Sequence, residues 1–158
     1  MAGNTELAVR CFRRAFAAVE GIPGPVHVRY TACSNLAGGL FHLGDIEGGL
    51  RFGLLGLEEA LPDWVAKDPH AAILLRRNLV RLLIAAGEVS RAREHVDEVA
   101  VLAARTTSPR ALIAAATTRA TYEMATGSTD IALTRLEEAL ARARSVPAAL
   151  RDTLGCLV

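Results

Sequence analysis

Ser34-Asn35-Leu36-Ala37-Gly38-Gly39-Leu40-Phe41-His42-Leu43-Gly44-Asp45 can be laid on Arg77-Asn78-Leu79 running to Gly87-Glu88, and both on Thr117-Thr118-Arg119 running to Gly127-Ser128. In each stretch a Gly stands nine residues after the Asn or Thr, and a small residue (Gly49, Ala92, Ala132) follows five positions later. The three glycines are 43 and 40 residues apart. A repeat at that period predicts helical hairpins stacked in a row, each burying its apolar face against its neighbours.

Working outward, the whole chain carries the same rhythm. Apolar residues recur at three- and four-residue spacings, and Gly and Pro interrupt them at regular places. The pattern predicts eight helices, over residues 5–20, 26–43, 46–60, 69–86, 89–105, 109–126, 129–144 and 147–157. Pro69, Pro109 and Pro147 head three of them, where a missing N–H costs nothing. Asp68 and Ser108 precede two of those prolines and are expected N-caps. Gly44-Asp45, Gly87-Glu88 and Gly127-Ser128 are expected corners, each giving a left-handed residue and then a cap for the next helix. The long connection from Leu61 to Pro69 contains Trp64, expected to cover the seam between the first two hairpins or to anchor a partner.

Composition agrees with an all-α chain. Of 158 residues, 51% are hydrophobic and only 4% aromatic, so the interior must be built from Leu, Ala, Val and Ile. Closely spaced helices suit that mixture better than a β-sandwich. The net charge of +1 gives no broad field to draw nucleic acid or a membrane surface. Of 18 basic residues only Lys67 is lysine, an imbalance expected of GC-rich bacterial coding. Cys11, Cys33 and Cys156 are too scattered for a disulfide framework or zinc site, so thiols in a reducing compartment are expected. The charged N-terminal stretch has no apolar core of about 7–15 residues, so no signal peptide is expected, and no run of about 18 apolar residues is present, which predicts a cytoplasmic protein.

The helix-pair residues resemble the tetratricopeptide repeat family. Its second helices carry small residues around a larger one, and here they read Ala8–Phe12–Ala15, Gly49–Gly53–Gly56, Ala92–Val96–Val99 and Ala132–Leu136–Ala139. First helices read Leu36-Ala37 with Leu40, and Leu79-Val80 with Leu83. The third copy departs, with Arg119 and Glu123 where apolar residues are expected, leaving open a shifted register. The repeat also exceeds the usual 34 residues, similar to the longer repeats of kinesin light chains and of sensor regions in large bacterial ATP-binding transcription regulators. The resemblance implies one domain over residues 1–158, a right-handed solenoid of three antiparallel hairpins (26–60, 69–105, 109–144). Residues 5–20 then match the second helix of a preceding repeat, and 147–157 the opening of a next one, as in a piece of a longer array. Apolar residues at both ends suggest pairing between copies as the alternative.

In that family the first helices line a concave groove, so the resemblance implies groove residues Ser34, Gly38, Phe41 and His42, then Arg77, Asn78 and Arg81, then Thr117, Thr121 and Met124. Arg77 and Arg81 stand four apart on one helix face, placed to clamp a carboxylate or phosphate. Asn78 beside them is expected to hold a peptide backbone. The lysines with which chaperone-binding members grip a C-terminal carboxylate are missing, which disfavours that partner. The expected function is a non-catalytic protein- or peptide-binding scaffold of a signalling or transcription regulator. The alternatives are a small-molecule effector sensor near the glycine-rich first hairpin, by Phe41 and His42, and an oligomerisation module. No P-loop, dinucleotide fingerprint, HExxH, nucleophile elbow or carboxylate dyad occurs, so no catalytic residue, metal or cofactor is expected.

Overall fold

The computed structural model describes residues 2–22, 26–58 and 68–144. Seven helices occupy them: α1 (Ala2–Val19), α2 (Val26–His42), α3 (Ile46–Glu58), α4 (Pro69–Ala85), α5 (Val89–Ala103), α6 (Pro109–Ala125) and α7 (Thr129–Arg144). No strand occurs among the described residues. The helices lie where the breakers put them, to within three residues at either end. The expected helix over 147–157, Trp64 and Cys156 fall outside the described residues.

The corners explain why the chain turns where it does. Gly44, Gly87 and Gly127 have φ of 78°, 78° and 84°, a region that costs an L-residue with a Cβ about 1–2 kcal/mol. Around each, the same two hydrogen bonds close the preceding helix. Asp45 N donates to Leu40 O at 3.0 Å and Gly44 N to Phe41 O at 3.1 Å. Glu88 N donates to Leu83 O at 2.8 Å and Gly87 N to Ile84 O at 3.0 Å. Ser128 N donates to Glu123 O at 2.8 Å and Gly127 N to Met124 O at 3.2 Å. These are three copies of the Schellman motif. Glu123 therefore occupies the position of Leu40 and Leu83, and the third hairpin keeps its register.

Side-chain caps close α3 and α4, whereas Glu88, at the N-cap of α5, makes no side-chain capping bond. Asp68 Oδ1 accepts from Ala71 N at 3.1 Å, and Asp45 Oδ1 from Gly48 N at 2.9 Å. Ser108 departs from expectation. It holds the N-cap position with an extended backbone, but its hydroxyl makes no capping bond; instead its N–H donates to Thr106 Oγ1 at 3.1 Å.

The hairpins α2–α3, α4–α5 and α6–α7 each pack on themselves, and α1 lies on α2. Between hairpins, α4 touches α2, α3 and α6, and α6 also touches α5. The apolar interior follows as a succession of small clusters. Val9, Cys33, Leu36, Leu40 and Phe52 join α1 to the first hairpin, where the Phe16 and Phe52 rings meet edge-on with centroids 5.6 Å apart. Tyr30, Leu75 and Leu79 join the first hairpin to the second. Ala72, Ile73, Val99, Leu102, Ala111 and Ala114 join the second to the third.

Glycine in α3 permits the closest of these approaches. A Cβ on Gly49 would stand 2.5 Å from Leu82 Cδ2, and one on Gly53 2.5 Å from Leu79 Cδ2. The leucines of α4 thus press against bare backbone. Burial of large apolar side chains there offsets the roughly 0.5–1 kcal/mol that each interior Gly costs a helix.

The third hairpin substitutes charge for oil. At the register of the Leu40–Phe52 contact stand Glu123 and Arg135, joined by bonds from Arg135 Nε and Nη2, both 2.9 Å. Arg119 Nε donates to Glu123 at 3.1 Å, and its Nη1 lies 3.5 Å from Asp97 on α5. Glu123 is only 7% exposed, and the bond from Arg135, ahead of the other contributions, holds its carboxyl below the usual range. The network ties α5, α6 and α7 together.

Candidate functional site

The groove residues inferred from the repeat separate into three sets. Ser34, Gly38 and Asn78 form a closed joint between α2 and α4. Asn78 Nδ2 donates to Ser34 O at 2.9 Å in a buried position, and a Cβ on Gly38 would stand 3.1 Å from that nitrogen. One of the two Asn78 amide N–H groups is thus committed to joining the two helices.

Phe41, His42, Arg77 and Arg81 form the second set, and here the structure does gather side chains. Arg81 Cζ lies 4.1 Å from the Phe41 ring centroid, and the His42 ring meets Phe41 edge-on at 5.6 Å. Stacking on an aromatic face fixes the guanidinium plane while leaving its edge N–H groups available. Burial lowers the pKa of Arg77 and of Arg81, and the neighbouring Arg81 charge lowers Arg77 further. Burial first, then Arg81, then Arg77, holds His42 below the ordinary imidazole value, which favours its neutral form. Among the described residues no carboxylate comes within ion-pairing distance of Arg77 or Arg81. Arg77 Nε is buried with no hydrogen-bond partner.

Thr117, Thr121 and Met124 form the third set, on α6. Thr117 Oγ1 donates to Ala114 O at 3.0 Å and Thr121 Oγ1 to Thr117 O at 2.9 Å, so both hydroxyl protons return to their own helix. Met124 is exposed. Among the described residues no hydrogen bond connects these three to the arginines, and α6 contributes differently. Its Arg110 also has a buried Nε without a partner. His70, in the first turn of α4, is lowered by burial and then by Arg110, is raised by Asp68, and is lowered again by Arg77. His70 and Arg110 escape a motif search because neither belongs to a motif. Their signal is positional: each follows the proline that opens a first helix, 40 residues apart.

Two further features bear on ligands. A cavity of about 300 Å³ lies between α1 and the corner after α2, lined by Val9, Leu40, Leu43, Arg10 and Asp45 among others. The glycines of the first hairpin do not open a pocket of their own, since Gly49 and Gly53 are filled by Leu82 and Leu79 and Gly38 by Asn78. Among the described residues no group of three or more His, Cys, Asp or Glu is placed to hold a metal ion. No helix among them is long and apolar enough to cross a membrane.

No protein-family model matches this chain, and no curated protein or solved structure matches it either.

Proposed function

We propose that the helices form a tetratricopeptide-like solenoid and that the chain is a non-catalytic scaffold, whose first-helix face holds an acidic segment of a protein or peptide partner. Support for the linear stack comes from the repeated glycine corners and from a core divided into clusters between successive helices. Each element then leans only on near neighbours in sequence, as repeat arrays do.

The observation that carries the binding reading is the Arg77–Arg81 pair. Two guanidiniums share one face of α4, one braced on Phe41 and the other with a buried, unpartnered Nε, and no described carboxylate neutralises them. Holding two like charges in partly desolvated positions is unfavourable, and an arriving carboxylate relieves it through charge-assisted hydrogen bonds. With its neutral form favoured, His42 beside them presents an aromatic edge rather than a third charge.

The test is calorimetric titration of a glutamate-rich peptide into the wild-type chain and into a variant carrying Arg77→Ala with Arg81→Ala. The expected result is at least about a tenfold loss of affinity, or about 1.4 kcal/mol, in a variant whose helical circular dichroism is unchanged. Equal affinity in the two proteins overturns the assignment.

A further inference from the structure

We propose that His70, Arg77 and Arg110, at the seam between α4 and α6, form an adjoining subsite that shares Arg77 and takes a phosphoryl group. The inference rests on the reading above, that the first-helix face is the binding surface.

Helices α4 and α6 pack against each other, and Pro69-His70 and Pro109-Arg110 open them at the same register. The two side chains after the prolines therefore leave neighbouring helices at the same level. Arg77 lies seven residues beyond His70, within about 20° of the same helix face. Arg77 and Arg110 each bury an Nε that has no hydrogen-bond partner, and neither forms an ion pair among the described residues. Both guanidiniums lie near enough for their charges to act on the His70 ring, on the seam where α4 packs on α6. A carboxylate has two oxygens to offer such a set, whereas a terminal phosphoryl group offers three and two negative charges.

The charged groups facing His70 are Arg110, Asp68 and Arg77. The Asp68 carboxylate already accepts from Ala71 N at 3.1 Å as the cap of α4. A bound dianion reverses the balance around the ring, because it compensates both guanidiniums and favours imidazolium. The His70 titration midpoint should therefore rise on binding.

The experiment follows the His70 ring by NMR during titration with inorganic phosphate, with acetate at matched ionic strength as the control. Phosphate should raise the His70 midpoint by about half a pH unit or more, and acetate should not. Arg110→Gln should weaken phosphate binding at least about tenfold and remove the midpoint shift, while Arg93→Gln, on the exposed face of α5, leaves both intact. A phosphoserine peptide that binds tighter than free phosphoserine assigns the group to a protein partner; equal affinities assign it to a free phosphorylated metabolite. Identical responses to acetate and phosphate, or undiminished phosphate binding in Arg110→Gln, overturn the proposal. Either result leaves the acidic-peptide reading standing if Arg77→Ala with Arg81→Ala still abolishes peptide capture. Peptide capture that survives that pair, by contrast, removes the peptide reading whatever phosphate does.

Discussion

Gly87 carries a decision that no neighbour can make for it. Its φ of 78° lets Glu88 N reach back to Leu83 O, closing α4 and aiming α5 antiparallel to it. Nothing lies within 4 Å of where its Cβ would be, so Gly87→Ala tests conformation alone. The expected cost is about 1–2 kcal/mol, read from urea denaturation, and Gly127→Ala should cost the same. Such residues are legible in a sequence because their chemistry is complete in one position. Glu123 is the opposite case. By itself it looks like a defect in the repeat, because the partners that make sense of it, Arg119 and Arg135, lie four and twelve residues away on two helices. Glu123→Leu restores the apolar residue of the other copies but strands Arg135. It should destabilise by about 1–2 kcal/mol, short of the full loss of a buried pair because both arginines are partly exposed. A Glu123→Leu, Arg135→Phe double variant, which recreates the Leu40–Phe52 pair, should recover most of that loss in the same denaturation experiment.

Helix α4 is the element on which the others depend. It touches α2, α3, α5 and α6, and it buries Ala72, Ile73, Leu75, Asn78, Leu79, Val80, Leu82 and Leu83. Helix α7 buries only Ala132 and Ala139 and leaves Ile131, Leu133 and Leu140 exposed. Local opening free energy follows buried apolar contact. Hydrogen exchange should thus be slower in α4 than in α7; protection of α7 equal to that of α4 would contradict this packing. Gly53→Val probes the α3–α4 seam directly, since the new side chain must displace Leu79, and overpacking of this kind costs about 1–3 kcal/mol by denaturation. At this scale the periodicity and breakers located the elements well. They did not reveal which face residues also join helices: one Asn78 amide N–H is committed to Ser34 O on α2.

The molecule as a whole should weaken on mild acidification. His42, His70 and His95 all have folded pKa values below the ordinary 6.5, burial being the first cause in each case. Below 6.5 the unfolded chain takes up protons that the folded one resists, so stability is full above that pH and is lost as pH falls through the folded values. Glu123 acts in the same direction at lower pH, with stability lost as pH falls below its ordinary 4.5. Urea midpoints should therefore be lower at about pH 5.5 than at about pH 7.5. The cationic face is assembled from α2, α4 and α6 and has no counterpart in any contiguous stretch. The sequence pair Arg77 and Arg81 pointed toward it, but Phe41 as a brace and Arg110 and His70 as neighbours emerge only when first helices lie side by side.

Backbone chemical-shift mapping with an added glutamate-rich peptide asks most directly whether that face binds the acidic segment we propose. The expected perturbations centre on His42, Arg77 and Arg81 and spare the outer sides of α5 and α7. Shifts concentrated on α5 and α7, with the α2–α4 face undisturbed, would contradict the account.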